Sequence, residues 1–511
     1  MKKAFIINFS TSVLIDVVKN LKEKGIDIVY WEGYRDDFDA LSNTKKGFEK
    51  TIFRHAFDAI KNIPPHGIDT SEFEPLSKEI IEKMHQYGWH ALSMIQRADY
   101  DESHFIKQRD MYYGYIKFWH GMIQKLKPDV IIFVAVPHSA TSIVLYGLAK
   151  IFKIKIIILE RLVIDSRTLL LGDYVDGYNQ LAQEYAKTRD EKCNLENLSP
   201  DLRNYYNNQK HTKKPAQSRD GSYAHHLTRN NKMPFRVPSI IAVFRHIYHF
   251  TFFKVAKSYI SMLFSKRKTH YYNKDFTGFT LTAMNRKWSR MNNDRKKEYF
   301  KLQSEPDYGK KYIYLPLAYQ PEQTTCPMGG VFDDQALMVD IISAALPQGW
   351  MLYVKEHIPQ WYPHHTESRL YRYAGYYDRI MHNKNVQLIP AQTHPFELIK
   401  NAQAVATTTG TSGLEAILRS KPVLIFGYIW YMHCEGVFRI SNLEECKDAL
   451  EKIKQGYTVN QQRVINYLKV VDIMSIKAKN YKSRDYTENK EITKKENILN
   501  ITNALYKAII N

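Results

Sequence analysis

The sequence predicts an α/β protein with two Rossmann-like domains that face a central cleft. Short apolar runs alternate with amphipathic segments twice along the chain, once before about residue 200 and again after Lys311. Short buried strands separated by helices are typical of a parallel sheet that is covered on both faces. The chain is also 511 residues long, which exceeds one ordinary domain and suits two.

Composition and cysteine usage narrow the class of protein. Hydrophobic residues make up 44% and charged residues 25% of the chain, which are globular proportions, so global disorder is excluded. The four cysteines are scattered without a CxxC pair. This spacing excludes a disulfide scaffold and a zinc ribbon and favours a reducing cytosol.

Two segments imitate membrane signals. The apolar run at the N-terminus is interrupted by Asn8 and by the hydroxyl residues 10–12, and no small-residue cleavage site follows it. Residues 130–149 carry no formal charge and have the length of a membrane span. Pro137 and His138 lie within that segment, which indicates a strand, a turn and a helix. We therefore expect a soluble chain.

The first Rossmann-like domain is predicted at residues 1–200. Its strands are expected at residues 4–9, 26–31, 130–136 and 154–159, with helices at residues 12–24 and from about residue 141. The last two strands and the helix between them form a βαβ crossover, which completes the domain.

A basic and helical insert or linker is predicted at residues 201–305. Residues 203–236 hold eight Lys and Arg but one acid, Asp220, which is typical of a mobile surface segment. Residues 239–264 are apolar without a single helical face, so they form either a helix buried in the domain junction or one that rests on a membrane surface.

The second Rossmann-like domain, predicted at residues 306–485, resumes the alternation of strand and helix. Its strands are expected at residues 312–317, 350–354, 386–389, 404–407 and 423–426, with helices at residues 334–345 and after residues 393 and 412. The remaining residues 486–511 are expected to contain one amphipathic helix, over 488–510, that packs back across the junction.

A polar, glycine-containing loop follows the fourth strand of the second domain. Ligands of open parallel sheets bind at the carboxyl ends of strands, where helix N-termini present free N–H groups. The residues predicted to bind a phosphate or a ribose here are Thr408, Thr409, Gly410, Thr411, Ser412, Gly413 and Glu415. The alternative is an ordinary helix start with Ser412 as its N-cap.

Two further strand ends of this domain carry polar side chains. Lys355, Glu356 and His357 place three titratable groups at one strand tip, where His357 is a candidate catalytic residue that stabilises or protonates a leaving group. Gln320 and Glu322 end the first strand and are suited to reading a base or a sugar, and Glu322 is also a catalytic candidate. The alternatives are a solvated loop and a junction loop.

Polar and charged side chains also follow two strands of the first domain. His138 caps a helix at the carboxyl end of a strand and is a candidate general base, with a structural histidine as the alternative. Glu160, Arg161, Asp165 and Arg167 follow the next strand and are expected to border the same cleft. A carboxylate at this strand end is suited to act as a general base or as a nucleophile.

Several motifs carry a family resemblance. They are Gln320-Pro321-Glu322-x-Thr324-Thr325, Gly329-Gly330-x-Phe332-x-Asp334-Gln335, Leu346-Pro347-x-Gly349-Trp350, Val354-Lys355-Glu356-His357, Thr409-Gly410-Thr411-x-Gly413-x-Glu415-Ala416, Lys421-Pro422-Val423 and Phe426-Gly427. Together they resemble the capsule polysaccharide biosynthesis family, which includes Kdo transferases with a GT-B glycosyltransferase architecture. The resemblance covers about residues 311–436, with a weaker echo at 127–150. It implies that His357 meets the donor phosphate and that the loop from Thr409 to Glu415 holds the nucleotide.

The resemblance implies a glycosyltransferase that moves a sugar from a nucleotide sugar, CMP-Kdo-like or other, to a growing cell-surface polysaccharide or glycolipid, and the cysteine usage favours the cytoplasm. The first domain is then the expected place for the acceptor and for a catalytic carboxylate, which would act as a base in an inverting reaction or as a nucleophile in a retaining one. The alternatives are a nucleotide-sugar epimerase and a non-catalytic subunit of polysaccharide assembly or export. Nothing in the sequence calls for a cofactor or a metal, and no nucleic-acid motif is present. The cationic stretch at residues 203–268 suits either anionic lipid headgroups, which would place the protein peripherally on the inner face of the cell membrane, or an anionic glycan, and the alternative is a solvated loop.

Overall fold

The computed structural model describes residues 1–99, 104–164, 166–211, 260–261, 266–267, 276–362, 370–479 and 492–511. Three expectations lie wholly or partly outside these residues. They concern Asp165, most of the basic insert, and the start of the C-terminal helix at 488.

The first part of the chain, up to residue 211, contains six strands and eight α-helices among the described residues. The strands are β1 Lys3–Ile7, β2 Asp27–Gly33, β3 Ile52–His55, β4 Val130–Phe133, β5 Lys155–Arg161 and β6 Arg167–Leu171. The helices are α1 Ser12–Glu23, α2 Asp36–Thr44, α3 Ala56–Ile60, α4 Lys78–Ala98, α5 Phe105–Leu126, α6 Ala140–Ile151, α7 Asn179–Thr188 and α8 Pro200–His211. Short 3-10 helices lie at Thr70–Glu72 and Leu195–Asn197.

The second part, from residue 266 onward, continues the alternation. Its strands are β7 Lys266–Arg267, β8 Phe276–Thr277, β9 Tyr312–Pro316, β10 Met351–Lys355, β11 Val386–Leu388, β12 Ala404–Thr407, β13 Val423–Ile425, β14 Val437–Arg439 and β15 Ile476–Lys477. Its helices are α9 Gly278–Leu302, α10 Gln335–Ala345, α11 Tyr376–Ile380, α12 Pro395–Asn401, α13 Thr411–Ile417, α14 Leu443–Lys454, α15 Gln461–Met474 and α16 Lys494–Ile510. Two 3-10 helices lie at Gly330–Asp333 and Ile358–Trp361.

The first sheet has the order β15-β6-β5-β4-β1-β2-β3. Its strands from β5 to β3 are parallel, as predicted, and the sequence pattern located β1, β2 and β5 to within two residues of their ends and β4 to within three. The apolar run of β1 is buried on both faces, because helices cover the sheet on either side. Strand β3 was not predicted, and neither were β6 and β15, which add an antiparallel edge.

The second sheet is parallel throughout, with the order β11-β10-β9-β12-β13-β14. Five of its strands were predicted to within about two residues, and β14 was not. Strand β9 lies between β10 and β12, so the loops after these three strands emerge side by side at one edge of the sheet. The two Rossmann-like sheets confirm the predicted α/β class.

The end of the chain returns to the first sheet. Strand β15 pairs with β6, so residues 476–477 belong to the first sheet although they lie in the range predicted for the second domain. Helix α16 packs against α1, as the amphipathic pattern of the C-terminal segment predicted. Its buried residues Ile501, Leu505 and Ile509 join the core on that face of the first sheet.

The two halves also share buried contacts beside the cleft. One hydrophobic cluster runs through both halves and includes Tyr174 of the first and Met328 of the second. The rings of Tyr174 and Tyr428 meet edge to face with 6.5 Å between their centroids. In the described part of the chain, no helix is both long and apolar enough to cross a membrane.

Candidate active site

Three predicted loops meet at the carboxyl edge of the second sheet. The loop after β9 contacts both of its neighbours, because the Tyr319 ring lies 6.0 Å from that of His357 after β10. On the other side, the hydroxyl of Thr409 after β12 donates a hydrogen bond to the carbonyl of Thr324. The structure therefore brings His357 and the threonine-glycine loop to the same edge of the sheet, where both contact the intervening loop of residues 317–325.

The threonine-glycine loop is a tight turn. Gly410 is the N-cap of α13, which begins at Thr411, and the Gly410 N–H donates to the hydroxyl of Thr407 at 3.0 Å. The Tyr431 hydroxyl donates to the Gly410 carbonyl. A side chain at Gly413 would meet the Tyr431 hydroxyl at 2.7 Å, so only glycine fits there without rearrangement.

The other predicted residues of this loop differ in exposure. Thr411 is exposed and Ser412 is half-buried. The hydroxyl oxygen of Thr408 is buried and makes no hydrogen bond to the described protein atoms. Among these residues, the Thr409 hydroxyl is committed to the Thr324 carbonyl, which leaves Thr408, Thr411 and Ser412 as the candidate hydroxyl donors.

Glu415 lies one turn into α13 and is buried. The Arg419 guanidinium donates to its carbonyl oxygen at 2.8 Å. Burial, and then the nearby charge of Glu415, raise the pKa of the Tyr205 hydroxyl on α8. Glu415 of α13 therefore lies near Tyr205 of α8. Its contact with a ribose stays a prediction.

Glu356 is the acceptor of a buried network. Its carboxylate forms an ion pair with Arg372 at 2.5 Å between Oε2 and Nε, with both side chains almost fully buried. The Tyr377 hydroxyl donates to the same carboxylate at 2.7 Å, and the backbone N–H of His357 donates to it at 2.8 Å. These bonds fix the position of His357, so Glu356 orients the loop, and a direct donor contact through Glu356 stays a prediction.

Gln320 belongs to the same network. Its side-chain oxygen accepts hydrogen bonds from Arg372 and from Gln335, each at 2.8 Å, and its side-chain nitrogen donates to the carbonyl of Asp333 at 2.6 Å. The side chain is buried and each polar atom has a partner. Gln320 therefore stabilises the loop after β9. Recognition of a base or a sugar by Gln320 stays a prediction.

Lys355 and Glu322 differ in their surroundings. Burial lowers the pKa of Lys355 to about 8, although the negative charge of Glu356 acts in the opposite direction. The Lys355 ammonium donates to the carbonyl of Ala391 at 3.2 Å. Glu322 is exposed, and its carboxylate accepts a hydrogen bond from the Thr324 hydroxyl at 3.2 Å. The Lys355 ammonium thus lies at the end of β10 and the Glu322 carboxylate in the loop after β9.

A polar cavity of about 200 Å³ lies at the carboxyl edge of the first sheet, and we call it the cleft cavity. It is lined by Asn8, Ser10, Thr11, Leu14, Tyr34, Arg35, Val134, Ala135, Glu160, Arg161 and Gln323. Ten of these residues follow or end strands of the first sheet or begin α1. Gln323 comes from the loop after β9, so the cavity lies where the two halves meet.

Glu160 is the buried carboxylate of this cavity, with 2% of its surface exposed. Gln323 donates its side-chain N–H to Glu160 Oε2 at 3.0 Å across the junction. The sequence had placed Glu160 and Arg161 at the border of the cleft, and both line the cavity. A carboxylate held in a polar cavity between two domains is suited to accept a proton or to attack an electrophile.

Two predicted residues of the first domain lie elsewhere. His138 is exposed and outside the lining of the cleft cavity, with Nδ1 at 2.8 Å from the carbonyl of Val136. The expectation that Arg167 borders the cleft is wrong. Arg167 is buried and pairs with Asp201 and Asp472 at 2.6 and 2.8 Å, because its guanidinium ties β6 to α8 and to the end of α15.

Sequence reasoning missed Asn8, Tyr34, Arg35 and Gln323 as cavity residues. The available signal was their place in the sequence, since Asn8 follows β1 and Arg35 follows β2. In the structure, Asn8 and Arg35 adopt positive φ angles of 66° and 85°. Such angles are uncommon outside glycine and mark backbones that turn sharply. Within the described ranges, no cluster of three or more His, Cys, Asp or Glu side chains has the arrangement of a metal site.

Comparison with known proteins confirms the family resemblance of the second half. Residues 248–488 match the family model described as capsule polysaccharide biosynthesis protein. A search of curated proteins found no match to the chain.

Solved structures resemble the chain weakly. The β-Kdo 2,4 transferase of Thermosulfurimonas dismutans KpsC is 14% identical with a TM-score of 0.27, over 67% of this chain and 87% of that one. The β-Kdo 2,7 transferase of the same protein is 13% identical with a TM-score of 0.24, over 42% of this chain, and the match spans 62% of that chain's length. A UDP-GlcNAc 2-epimerase from Methanocaldococcus jannaschii is 13% identical with a TM-score of 0.23, over 93% and 99%. At these scores the likeness does not separate a transferase from an epimerase.

Proposed function

We propose that this protein is a glycosyltransferase that moves a sugar from a nucleotide-sugar donor to a growing cell-surface polysaccharide or glycolipid. The observation that carries the proposal is the placement of Glu160, a buried carboxylate in a polar cavity at the junction of two Rossmann-like sheets. Gln323 joins it to the same loop that separates His357 from the threonine-glycine turn. The match of residues 248–488 to a capsule polysaccharide biosynthesis family supports the assignment.

The second sheet holds the donor in this proposal. The donor phosphates lie against the turn at Gly410, where the free hydroxyls of Thr408, Thr411 and Ser412 supply hydrogen bonds. His357 and the ammonium of Lys355 stand at the neighbouring strand end and stabilise the negative charge that develops on the leaving phosphate. The ion pair of Glu356 with Arg372 keeps His357 in position for this role.

The first sheet holds the acceptor. The acceptor hydroxyl enters the cleft cavity. Glu160 either removes the proton of this hydroxyl as the sugar is transferred, or first attacks the donor sugar itself. The first route inverts the anomeric configuration and the second retains it. NMR assignment of the anomeric configuration of the product, compared with that of the donor, distinguishes the two routes.

We also propose that the protein works in the cytoplasm at the inner face of the membrane. The support is the excess of Lys and Arg in residues 203–268. Each basic residue near an anionic surface contributes about 1 kcal/mol of binding free energy. Association with vesicles that contain anionic lipid is expected to weaken with salt and to be lost on deletion of residues 203–232. Binding that is unchanged in high salt would contradict this placement.

A donor screen tests the activity. Thermal shift with CMP-, UDP- and GDP-sugars identifies the donor, because a ligand of the folded state raises the melting temperature. Transfer to a membrane-extracted glycan acceptor is then measured for wild type and for Glu160→Gln, which we expect to lose at least about 100-fold in rate. Glu23→Gln, which removes an exposed carboxylate on α1, is the control and should retain the wild-type rate.

Two results would overturn the proposal. Conversion of the donor to an epimer in the absence of any acceptor would identify an epimerase. Full polymer synthesis in cells that carry Glu160→Gln together with His357→Ala would identify a non-catalytic subunit of assembly or export.

A further inference from the structure

Helix α9, Gly278–Leu302, has one strongly basic side that is exposed to solvent. At about 100° per residue, four exposed cations fall within about 60° of arc around the helix axis, in a row about 22 Å long. They are Arg286, Arg290, Lys297 and Lys301, and we call this row the basic face. It takes no part in the proposed donor or catalytic site, and none of its residues lines the cleft cavity.

The opposite side of α9 is buried and fixes the orientation of the basic face. Trp288 and Tyr299 are buried on that side. The Tyr299 ring packs against that of Trp361 with 5.1 Å between centroids. The Tyr299 hydroxyl also accepts the backbone N–H of Glu356 at 3.1 Å, one residue before His357. The basic face is therefore the outer side of a helix that supports the His357 loop.

The two acids of α9 offset little of this charge. Lys297 pairs with Asp294 at 3.1 Å, and Arg295 pairs with Glu298 at 2.8 Å. The other three cations of the basic face form no ion pair with another described residue. Lys287 is exposed beside them and adds a further positive charge. The outer side of α9 thus keeps an excess of positive charge, which attracts an anionic partner.

The shape of the basic face indicates which anionic partner it fits. Small ligands bind in concave sites, whereas this face is the convex side of a helix. Between Arg286 and Lys301 no large apolar residue lies within the arc of the basic face. Met291 and Phe300, which are 39% and 38% exposed, lie on either side of it. A convex row of cations without a central apolar side chain fits a flat anionic surface that it contacts through charge.

We propose that the basic face of α9 docks the protein on an anionic lipid surface. This inference deepens the proposed placement at the inner face of the membrane and rests on it. Residues 203–268, from which that placement was argued, shortly precede α9 in the chain, so both basic regions can contact one membrane. Docking through α9 sets the half that carries His357 against the membrane, where a glycolipid acceptor is presented.

Co-sedimentation with vesicles tests the basic face without a donor or turnover. The full-length protein is mixed with vesicles of phosphatidylcholine alone, or of phosphatidylcholine with phosphatidylglycerol, at low and at high salt. We expect Arg286→Gln/Arg290→Gln/Lys301→Gln to lower the partition coefficient on the anionic vesicles by at least about tenfold at low salt. Wild type should lose most of its binding at high salt, because exposed charges are screened.

Two variants are the controls. Lys400→Gln/Lys452→Gln/Lys495→Gln removes three exposed lysines, on α12, α14 and α16, and should bind as wild type does although its net charge equals that of the triple variant of α9. Arg286→Lys/Arg290→Lys keeps the charge of the basic face and should also bind as wild type does. Melting temperatures check that every variant folds.

Three results would overturn the docking surface. The first is a triple variant of α9 that binds anionic vesicles as well as its lysine control does. The second is equal partition of wild type onto neutral and anionic vesicles. The third is a triple variant whose binding to heparin or to double-stranded DNA falls while its vesicle binding does not, since this identifies a soluble polyanion as the partner.

The proposals fail separately. If deletion of residues 203–232 abolishes vesicle binding but the triple variant of α9 binds normally, the basic face fails and the membrane placement remains. If the triple variant loses vesicle binding but no nucleotide sugar is turned over, the transferase assignment fails and the docking surface remains. If wild type binds no anionic vesicle, the placement and the basic face fail together, and transfer that depends on Glu160 is unaffected.

Discussion

The side-chain N–H of Gln323 donates a 3.0 Å hydrogen bond to the carboxylate of Glu160, two residues that are 163 positions apart in the chain. Glu160 ends a strand of the first sheet, and Gln323 belongs to the loop that ends the first strand of the second sheet. The bond therefore connects the carboxyl edges of both sheets at the cleft cavity. It also satisfies one hydrogen-bond acceptor of a buried carboxylate, and such a carboxylate is costly to leave unpaired.

Replacement of Gln323 by Glu would place two carboxylates face to face at this junction. We expect Gln323→Glu to lower the free energy of unfolding by about 1–3 kcal/mol at pH 8, because a buried hydrogen bond is lost and repulsion is added. Urea denaturation at pH 8 and at pH 5 measures the effect, which should shrink as the new carboxylate protonates. Gln86→Glu, an exposed change on α4, is the control, and equal stability of the two variants would contradict the expectation.

The buried pair of Glu356 and Arg372 should be strongly destabilised by removal of one partner. Arg372→Met leaves a buried carboxylate without its cation, which we expect to cost about 3–5 kcal/mol in denaturant unfolding. The double variant Arg372→Met/Glu356→Gln removes both charges and should recover much of that loss. A double variant that is no more stable than Arg372→Met would show that the ion pair is not the cause.

The strands were the part of the fold that the sequence predicted best. Strands β9, β10 and β12 are parallel and buried on both faces, so each is a continuous apolar run that a sequence pattern reveals. Strand β15 was missed because it has two residues, and its place depends on a pairing with β6 some 300 residues earlier. Such pairings are set by tertiary contacts that local periodicity does not encode.

The candidate site was predictable to the same extent. Polar residues that follow buried strands identified His357, the threonine-glycine turn and Glu160. The partners that decide what these side chains do were not predictable, since Arg372 lies in an irregular segment and Gln323 meets Glu160 only in the folded chain. Arg167 was placed at the cleft because it follows Glu160, and its backbone does lie beside the end of β5, but its side chain pairs with Asp201 and Asp472.

The turn after β12 is expected to tolerate no side chain at Gly413. A methyl group there would lie 2.7 Å from the Tyr431 hydroxyl, and Tyr431 is buried and bonded to Gly410, so it has no room to withdraw. We expect Gly413→Ala to cost about 1–3 kcal/mol of stability and to weaken donor binding in thermal shift. Gly172→Ala is the control, because a methyl group there makes only an ordinary contact at 3.8 Å, and an equal effect of both changes would contradict this account.

Helix α16 should stabilise the first sheet through one face. Leu505 is fully buried against that half, whereas Leu499 on the same helix is 44% exposed. We expect Leu505→Ala to lower the free energy of unfolding by about 2–5 kcal/mol and Leu499→Ala to change it by less than about 1 kcal/mol. Similar losses in both variants would mean that the helix does not pack on the sheet in solution as it does in the structure.

Asp333 gives the contact between α4 and the second half a dependence on pH. Its carboxylate is buried and accepts a hydrogen bond from the Trp89 indole N–H at 3.3 Å, and burial raises the pKa of Asp333 to about 6. Because the folded protein favours the neutral form, the stability that Asp333 contributes is present below pH 4 and is lost as the pH rises through about 6. Asp333→Asn removes the ionisation, so the variant should match wild type at pH 4 and exceed it by about 1–3 kcal/mol at pH 7.5. Asp378→Asn, at an exposed position of α11, should show no such difference in parallel urea titrations. If Asp333→Asn raises the free energy of unfolding equally at both pH values, packing is the cause and the buried charge plays no part.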